Sequence, residues 1–452
     1  MKNRLNTLNL SSRTSISLAH GVMALAAGIL IFSTGASAWS QQEEASTPPV
    51  YSVLYRFQGG TDGAFPFGPY SNSGPGTLAV DSEGNLYGTT YEGGGGPSCG
   101  TVGCGVVFKV DPAGQETVLH AFFQSGEGGN PVSGVVLDGA GDRYGTAPLG
   151  GAYNWGVIYK LDHAGNYTIL HSFTAADGYP YGGVVRDANG NLFGVTADRG
   201  LYGNGVAFQV DSLGNYWVLH SFNETDGDLP AGLLVDGLGK LYGTTFSGGT
   251  HVNACDGLGC GVVFKLDSAG NETVLYNFTG GVGGGGPRSG VILDNAGQLY
   301  GTTVARGAYD FGTVYKLKTT GEERALYSFT GGADGSSPNG TMVWDYSGNL
   351  YGVTEYGGMS DCGVVFRVTP QGEETVLHTF TGGADGCQPQ SGLIRVGANV
   401  LYGTTFYGGY EGAGTECASN GCGTVFKLIL PAVSDQIKEQ REDLGEEAGL
   451  NK

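Results

Sequence analysis

Charge is scarce in this chain. Asp, Glu, Lys and Arg make up only 14% of 452 residues, and the basic share is the smaller, with 22 Lys and Arg against 42 Asp and Glu. No basic run gathers the positive charge locally, which argues against nucleic acid as a partner. Long apolar runs are also lacking. The only one, residues 18–32, holds about 15 residues, where a membrane span needs roughly 20. Lys2, Arg4 and Arg13 precede it and Ala36, Ser37 and Ala38 follow, which is the pattern of a secretory signal cleaved before Trp39. The alternative, an uncleaved anchor, conflicts with that length. No cysteine precedes Cys99, so nothing at the cleavage site accepts a lipid. Loss of residues 1–38 removes three basic and no acidic side chains, leaving 19 against 42 and a net charge of −23. The expectation is an exported monomer with no membrane span after cleavage.

Catalytic signatures are missing as well. No serine sits in a nucleophile elbow, and the glycine-rich stretch 280–286 lacks the Lys-Ser/Thr ending of a phosphate loop. His163 and His251 stand alone, without companions for a triad or a metal site. His120, His171, His220 and His378 recur at one position of a repeat where other copies have Tyr55, Tyr276 and Tyr327. A base or metal ligand does not exchange with tyrosine, so packing explains them. No enzyme activity is read from these residues.

Glycine is abundant, 86 residues, which suits tight turns between short strands better than helices. One string occurs seven times: LYGTT at 86, 241, 299 and 401, RYGTA at 143, LFGVT at 192 and LYGVT at 350. The steps between the aromatics Tyr87, Tyr144, Phe193, Tyr242, Tyr300, Tyr351 and Tyr402 are 57, 49, 49, 58, 51 and 51 residues. A period near 50 signals propellers or arrays. Each repeat contains four strand-like runs, the third reading GVVRD from Gly183, NLFGVT from Asn191, GVAFQV from Gly205 and YWVLHSF from Tyr216. Asp-x-x-Gly-Asn turns join the first run to the second (Asp81 to Asn85) and the third to the fourth (Asp162 to Asn166), so the strands are consecutive and antiparallel. Runs such as Val106, Val107 and Phe108 are apolar on both faces, so both faces are covered. The glycine inside each second strand (Gly88, Gly145, Gly194, Gly243, Gly301, Gly352, Gly403) is expected where backbone approaches backbone near a narrow axis.

The two ends of the chain are out of phase. SVLYRF at 52–57 is a fourth strand without a blade, and the last repeat stops after its third strand, GTVFKL at 423–428. Pairing them closes a seven-bladed β-propeller of four-stranded antiparallel blades and removes the exposed edges that the alternative, an open solenoid, leaves. The expected organisation is signal peptide 1–38, linker 39–50, propeller 51–430 and a polar, charged tail 431–452.

LYGTT followed by Gly-Gly, a GVVFKV strand, ETVLHSF-like strands and FTGGADG resembles the GloVer (Gloeo_Verruco) tandem-repeat family of bacterial exported proteins, across about residues 51–430. That resemblance implies repeats joined to varied C-terminal anchoring domains, of the choice-of-anchor type, and implies no general activity. Here the tail carries no hydrophobic anchor.

The eight cysteines lie beyond the signal, where thiols oxidise. Cys99 with Cys104, Cys255 with Cys260 and Cys417 with Cys422 share one spacing, and Cys362 and Cys387 remain for each other. Zinc is the alternative reading, but no histidine pair accompanies them. All fall in loops that a propeller gathers on one face, which predicts four bridges there. The residues after the LYGTT strand vary between repeats and are the candidate binding positions: Tyr91, Glu92, Asp198, Arg199, Arg306, Glu355, Tyr356 and Tyr407. A solvated loop face explains them equally. The segments joining repeats carry Asp-Gly at 62, 177, 226, 334 and 385; one carboxylate per copy reads as a turn, with calcium as the alternative. Otherwise no cofactor is expected. The sequence thus reads as an extracytoplasmic scaffold for a carbohydrate, peptide or envelope partner, with a polymer lyase or hydrolase at the central channel as the alternative.

Overall fold

The computed structural model describes residues 47–67, 77–95, 102–123, 126–251, 253, 255–409, 417 and 420–431. The signal segment, most of the linker, nearly all of the tail and Cys99 lie outside the described residues.

Seven antiparallel sheets form a ring of blades. Blade 3 is representative, its strands Val184–Arg186, Leu192–Val195, Val206–Val210 and Tyr216–Ser221 pairing in chain order. First strands of neighbouring blades touch, Val136–Leu137 meeting both Ala79–Val80 and Val184–Arg186, so they surround the axis. In blade 1 the first strand is in two pieces, Ala64–Pro66 and Ala79–Val80, both paired to Leu86–Glu92.

The ring closes through the chain's own ends. Val50–Arg56 pairs antiparallel with Thr424–Ile429, Val53 opposite Phe426 and Tyr55 opposite Val425, and the Phe57 amide donates to the Gly423 carbonyl at 3.1 Å. Blade 7 therefore takes three strands from the C-terminal end and its outer strand from the N-terminal end, as the phase shift predicts.

The turns form because aspartate caps them. Asp81 accepts the amides of Glu83 and Asn85 at 2.9 Å each, and the Tyr87 phenol donates to its other oxygen at 2.9 Å. Asp294 with Tyr300 and Asp345 with Tyr351 repeat this, so the tyrosine of the LYGTT string braces the turn before it.

Apolar packing lies between blades. The phenylalanine ending each fourth strand meets, edge-on, the third-strand aromatic of the next blade: Phe57 on Phe108, Phe122 on Tyr159, Phe173 on Phe208, Phe222 on Phe264, Phe278 on Tyr315, Phe329 on Phe366 and Phe380 on Phe426. All seven centroid distances fall between 4.9 and 5.4 Å.

These rings correct one expectation. A Cβ on Gly88 would lie 2.6 Å from the Phe108 ring, and one on Gly352 would lie 2.5 Å from Phe366, with the same overlap at the other five second-strand glycines. It is a third-strand aromatic, directly opposite in register, that comes nearest at all seven, with backbone close as well only at Gly194 and Gly243, where a Cβ would lie 3.1 Å from the Gly183 carbonyl and 2.8 Å from the Gly232 carbonyl. Backbone does approach backbone in the first strands, where a Cβ on Gly134 would strike the Thr77 carbonyl and one on Gly340 the Gly392 amide. A glycine collar thus narrows the axis one strand further in than the repeat string implies.

Candidate functional site

The loops joining second to third strands and those joining blades share one face, and the described bridges brace it. Cys255–Cys260, Cys362–Cys387 and Cys417–Cys422 have Cα separations of 5.3, 4.5 and 5.2 Å. Cys104 is also disulfide-bonded, while Cys99 lies outside the described residues.

On this face the candidate residues fall into separate groups. Tyr91 and Glu92 end strand Leu86–Glu92 of blade 1; the Tyr91 carbonyl accepts Asn130 Nδ2 at 2.9 Å and Glu92 lies opposite Ala64. In blade 3 Asp198 accepts the Tyr179 amide at 3.2 Å and lies 3.8 Å from Arg199 Nε; the Arg199 guanidinium sits 5.0 Å from the Trp155 ring centroid. Arg306 of blade 5 pairs with Asp256 of blade 4 at 3.1 Å. Tyr407 of blade 7 packs edge-on against Phe65 at 5.8 Å and exchanges backbone hydrogen bonds with Cys387.

Arg199 and Arg306 share an unusual backbone. Both adopt left-handed φ, 68° and 65°, at the loop corner where the other five blades place Gly93, Gly150, Gly248, Gly357 and Gly408 at φ 75–89°. An L-residue there costs about 1 kcal/mol, so the loop holds these two guanidinium groups against a local penalty.

Two concave features lie nearby. A cavity of about 280 Å³ opens between blades 4 and 5, lined by Phe246, Cys255, Asp256, Leu258 and Arg306 among others. Phe246 also supports the guanidinium of Arg288, 5.0 Å from its ring centroid. Arg288 in turn acts electrostatically on Tyr356 of blade 6. Burial and then neighbouring Glu355 push that phenol up to about 12, and the Arg288 charge opposes them. Glu355 is only 6% exposed and accepts Gln390 Nε2 of blade 7 at 3.0 Å. Phe246 and Arg288 thus meet across blades 4 and 5, and Glu355 and Gln390 across blades 6 and 7.

The sequence reading singled out Glu355 and Tyr356 but missed Arg288, Gln390 and Phe246. A signal existed: each blade begins with proline followed by a variable residue, Phe67, Val132, Tyr181 and Ala231 in the described parts of blades 1–4, then Arg288, Asn339 and Gln390 in blades 5–7. Polar residues on three consecutive blades break an otherwise apolar or aromatic series at this position.

The Asp-Gly carboxylates serve their own turns. Asp226 accepts the Asn223 amide at 2.8 Å and Asp334 the Thr330 amide at 2.7 Å. Among the described residues no three His, Cys, Asp or Glu side chains cluster as metal ligands. The fourth-strand histidines pack between blades: His120 stacks on Tyr167 at 4.2 Å, His171 on Tyr216 at 3.8 Å and His378 on Tyr51 at 3.7 Å. Where tyrosine replaces histidine its hydroxyl donates to an acid, Tyr55 to Asp62 at 2.7 Å and Tyr327 to Asp334 at 2.9 Å.

A closed seven-bladed propeller with a disulfide-braced, polar and aromatic face is thus the class of protein. Residues 75–255 and 257–417 match the Gloeobacter/Verrucomicrobia repeat, and the chain belongs to that family. No functionally curated protein matches it significantly in sequence. Among solved structures it is similar to a catalytically inactive virginiamycin B lyase from Staphylococcus aureus with quinupristin (13% identity, TM-score 0.51, 80% of this chain and 96% of that one). It also resembles a gluconolactonase from Xanthomonas campestris (14%, TM-score 0.37, 61% and 79%) and a Thermus putative oxidoreductase (12%, TM-score 0.39, 84% and 100%). At 13% identity the likeness to the lyase is one of fold. Among the described residues no helix is long and apolar enough to cross a membrane.

Proposed function

We propose that the protein is an extracytoplasmic, non-catalytic binding scaffold whose bridged face engages a carbohydrate, peptide or envelope partner. The observation that carries this reading is the gathering of the cavity, the Glu355–Gln390 pair and the strained Arg199 and Arg306 on the face that the disulfides brace, over a framework otherwise uniform from blade to blade. Secretion accords with bridged cysteines and with the exported repeat family.

The lyase or hydrolase reading requires an acid/base group and an electrophilic stabiliser converging in one pocket. Glu92, Arg199, Arg306 and Glu355 belong to blades 1, 3, 5 and 6, with Arg199 and Arg306 each paired to its own aspartate. With each guanidinium committed to an aspartate and Glu355 to Gln390, the arrangement favours binding over catalysis.

The test is a glycan and peptide array probed with the secreted chain, followed by calorimetry on any hit with Arg199→Ala and Arg306→Ala. The expected result is a discrete set of ligands and a tenfold or greater loss in at least one variant. A blank array, or hits indifferent to both variants, refutes the reading.

A further inference from the structure

The residue before the first-strand proline carries a side chain at six seams, Phe65, Asn130, Tyr179, Leu229, Ser337 and Gln388, but is Gly286 where blade 4 meets blade 5. Gly283, Gly284 and Gly285 precede it, so that stretch has no side chain at all. A Cβ on Gly286 would lie 3.0 Å from the Phe246 ring and one on Gly285 3.0 Å from Cys255 Sγ, and all four residues line the cavity of about 280 Å³. The bare segment keeps that cavity open beside Arg306, which lines it too. The seam between blades 2 and 3 shows what fills the corresponding space. A Cβ on Gly156 would strike Pro180 there, as one on Gly261 would strike Pro287 here, so the two seams superpose residue by residue. Trp155 precedes the first glycine and Cys260 the second, while Tyr179 precedes the first proline and Gly286 the second. Arg199 and Arg306 hold the same left-handed corner, each beside an aspartate. The Trp155 ring lies 5.0 Å from the Arg199 guanidinium and 4.4 Å from the Tyr179 ring, centroid to centroid. Around Arg306 those two rings are replaced by a cysteine and a glycine, and a cavity results.

Resting on the binding-scaffold reading, we infer that this cavity receives the aromatic side chain of a partner peptide, an indole-sized ring taking beside Arg306 the place that Trp155 takes beside Arg199. The guanidinium supplies a cation–π contact, and Phe246 and the Cys255 sulfur supply apolar, polarizable wall. Pockets for drug-sized ligands begin at about 300 Å³, so a cavity of about 280 Å³ takes one ring system rather than a larger body. Leu258 on its lining is exposed, as is Tyr309 next to lining residue Asp310, and both offer contact to the chain that carries the ring. Asp256 and Asp310 stand on the lining against the single charge of Arg306, and the chain's net charge is −20, so basic residues suit the flanks of the peptide and acidic ones do not.

The experiment is calorimetry of the full secreted chain with a capped peptide bearing a central tryptophan between lysines, the same peptide with alanine for the tryptophan, its glutamate-flanked form, and N-acetyltryptophanamide. It is repeated on Gly286→Leu, which copies Leu229 of blade 4 at its φ of 54° and fills the cavity, and on Arg306→Gly, which copies the corner glycine of five blades. The lysine-flanked tryptophan peptide is expected to bind at least about tenfold tighter than its alanine form, and tighter than the other two probes. Gly286→Leu is expected to abolish that preference, and Arg306→Gly to weaken the tryptophan peptide about three- to thirtyfold without lowering the melting temperature. Should Gly286→Leu fail to fold, Arg306→Gly and the tryptophan-to-alanine comparison decide the matter. Equal affinity for the tryptophan and alanine peptides, or a preference that survives either variant in folded form, overturns the inference. N-acetyltryptophanamide or the glutamate-flanked form binding as tightly overturns a basic peptide as the source of the ring. Glycan hits on the array that respond to Arg199→Ala, with every tryptophan probe inert, sink this pocket and leave the scaffold standing; a blank array with inert probes sinks both.

Discussion

Closure of the ring is tested by truncating one ring at the seam the chain ends create and one at an ordinary seam. Phe57 follows the N-terminal strand, is fully buried and meets Phe108 edge-on at 5.1 Å. Phe222 is equally buried and meets Phe264 at 4.9 Å, but its strand pairs with one close in sequence, Val206–Val210, whereas the strand before Phe57 pairs with Thr424–Ile429. Phe→Ala at a site with no exposure costs about 3–5 kcal/mol, of which the aromatic pairing supplies about 0.5–1.5. Because the two environments correspond, Phe57→Ala and Phe222→Ala should cost the same to within about 1 kcal/mol. Urea denaturation followed by circular dichroism measures both, compared by midpoint at constant slope. Should the N-terminal strand detach in solution, Phe57→Ala would cost under about 1 kcal/mol while Phe222→Ala kept its full effect. That outcome refutes the closed ring. Hydrogen exchange adds an independent view, since strand Val50–Arg56 should then exchange long before the interior blades, and under closure should not.

The other predictions concern packing, protons and bridges. Gly194→Ala is expected to cost about 1–3 kcal/mol, because the added methyl overlaps the Phe208 ring; a neutral or stabilising result in thermal melts would contradict the packing described. Burial and then Asp62, Asp226 and Asp334 push Glu116, Glu272 and Glu374 up to about 7 from an unfolded value of 4.5. A raised carboxyl pKa means that stability is complete below about pH 4.5 and is lost as pH rises through about 7. Glu374→Gln should therefore raise the melting temperature at pH 8 by an amount equivalent to about 1 kcal/mol after solvent screening of a half-exposed group, and by nothing at pH 4; a gain independent of pH would contradict it. Burial lowers His120 from 6.5 to about 4, so its contribution runs the other way, present above about pH 6.5 and lost as pH falls through about 4. His120→Phe is accordingly expected to stabilise at pH 4 relative to its effect at pH 7, read in the same melts. Cys362–Cys387 spans 25 residues of sequence and Cys255–Cys260 only 5, so serine substitution of the first pair should cost about 3.5 kcal/mol and of the second about 2, by loop entropy. The reverse order in urea midpoints would count against that account.

The architecture was legible because every blade repeats the same constraints. Seven LYGTT strings, two turn types and the displaced fourth strand at 52–57 set blade number, strand order and the closing pair. The role of the second-strand glycines was not legible, since the ring that excludes a side chain lies about 20 residues later, as Phe108 does after Gly88, and only register brings them opposite. The face was legible from loop class, which placed the bridges Cys362–Cys387 and Cys417–Cys422 as expected. Grouping across blades was not. Glu355 and Gln390 come from successive blades, and nothing in their separate contexts marks them as neighbours.

Seven-fold repetition also explains why function should sit where it is proposed. A framework residue is held from two sides: Phe264 fills the space over Gly243 and receives Phe222 from the preceding blade, so changing it disturbs two contacts. The position after the first-strand proline answers to no such pair. Blades fold with Val132, Ala231, Arg288 or Gln390 there, residues that differ in volume and charge while the strands around them keep the same pairing. Selection for a ligand can act at that position without eroding the ring, and polar choices on three consecutive blades give one side of the axis a chemistry that the other lacks. Arg288→Ala, which installs the residue that blade 4 already uses at 231, should accordingly leave stability within about 0.5 kcal/mol. Phe264→Ala, a single framework change, should cost about 3–5 kcal/mol. Comparable losses for the two would mean that the position after the first-strand proline is as constrained as the core, and the physical reason for placing a binding site there would disappear.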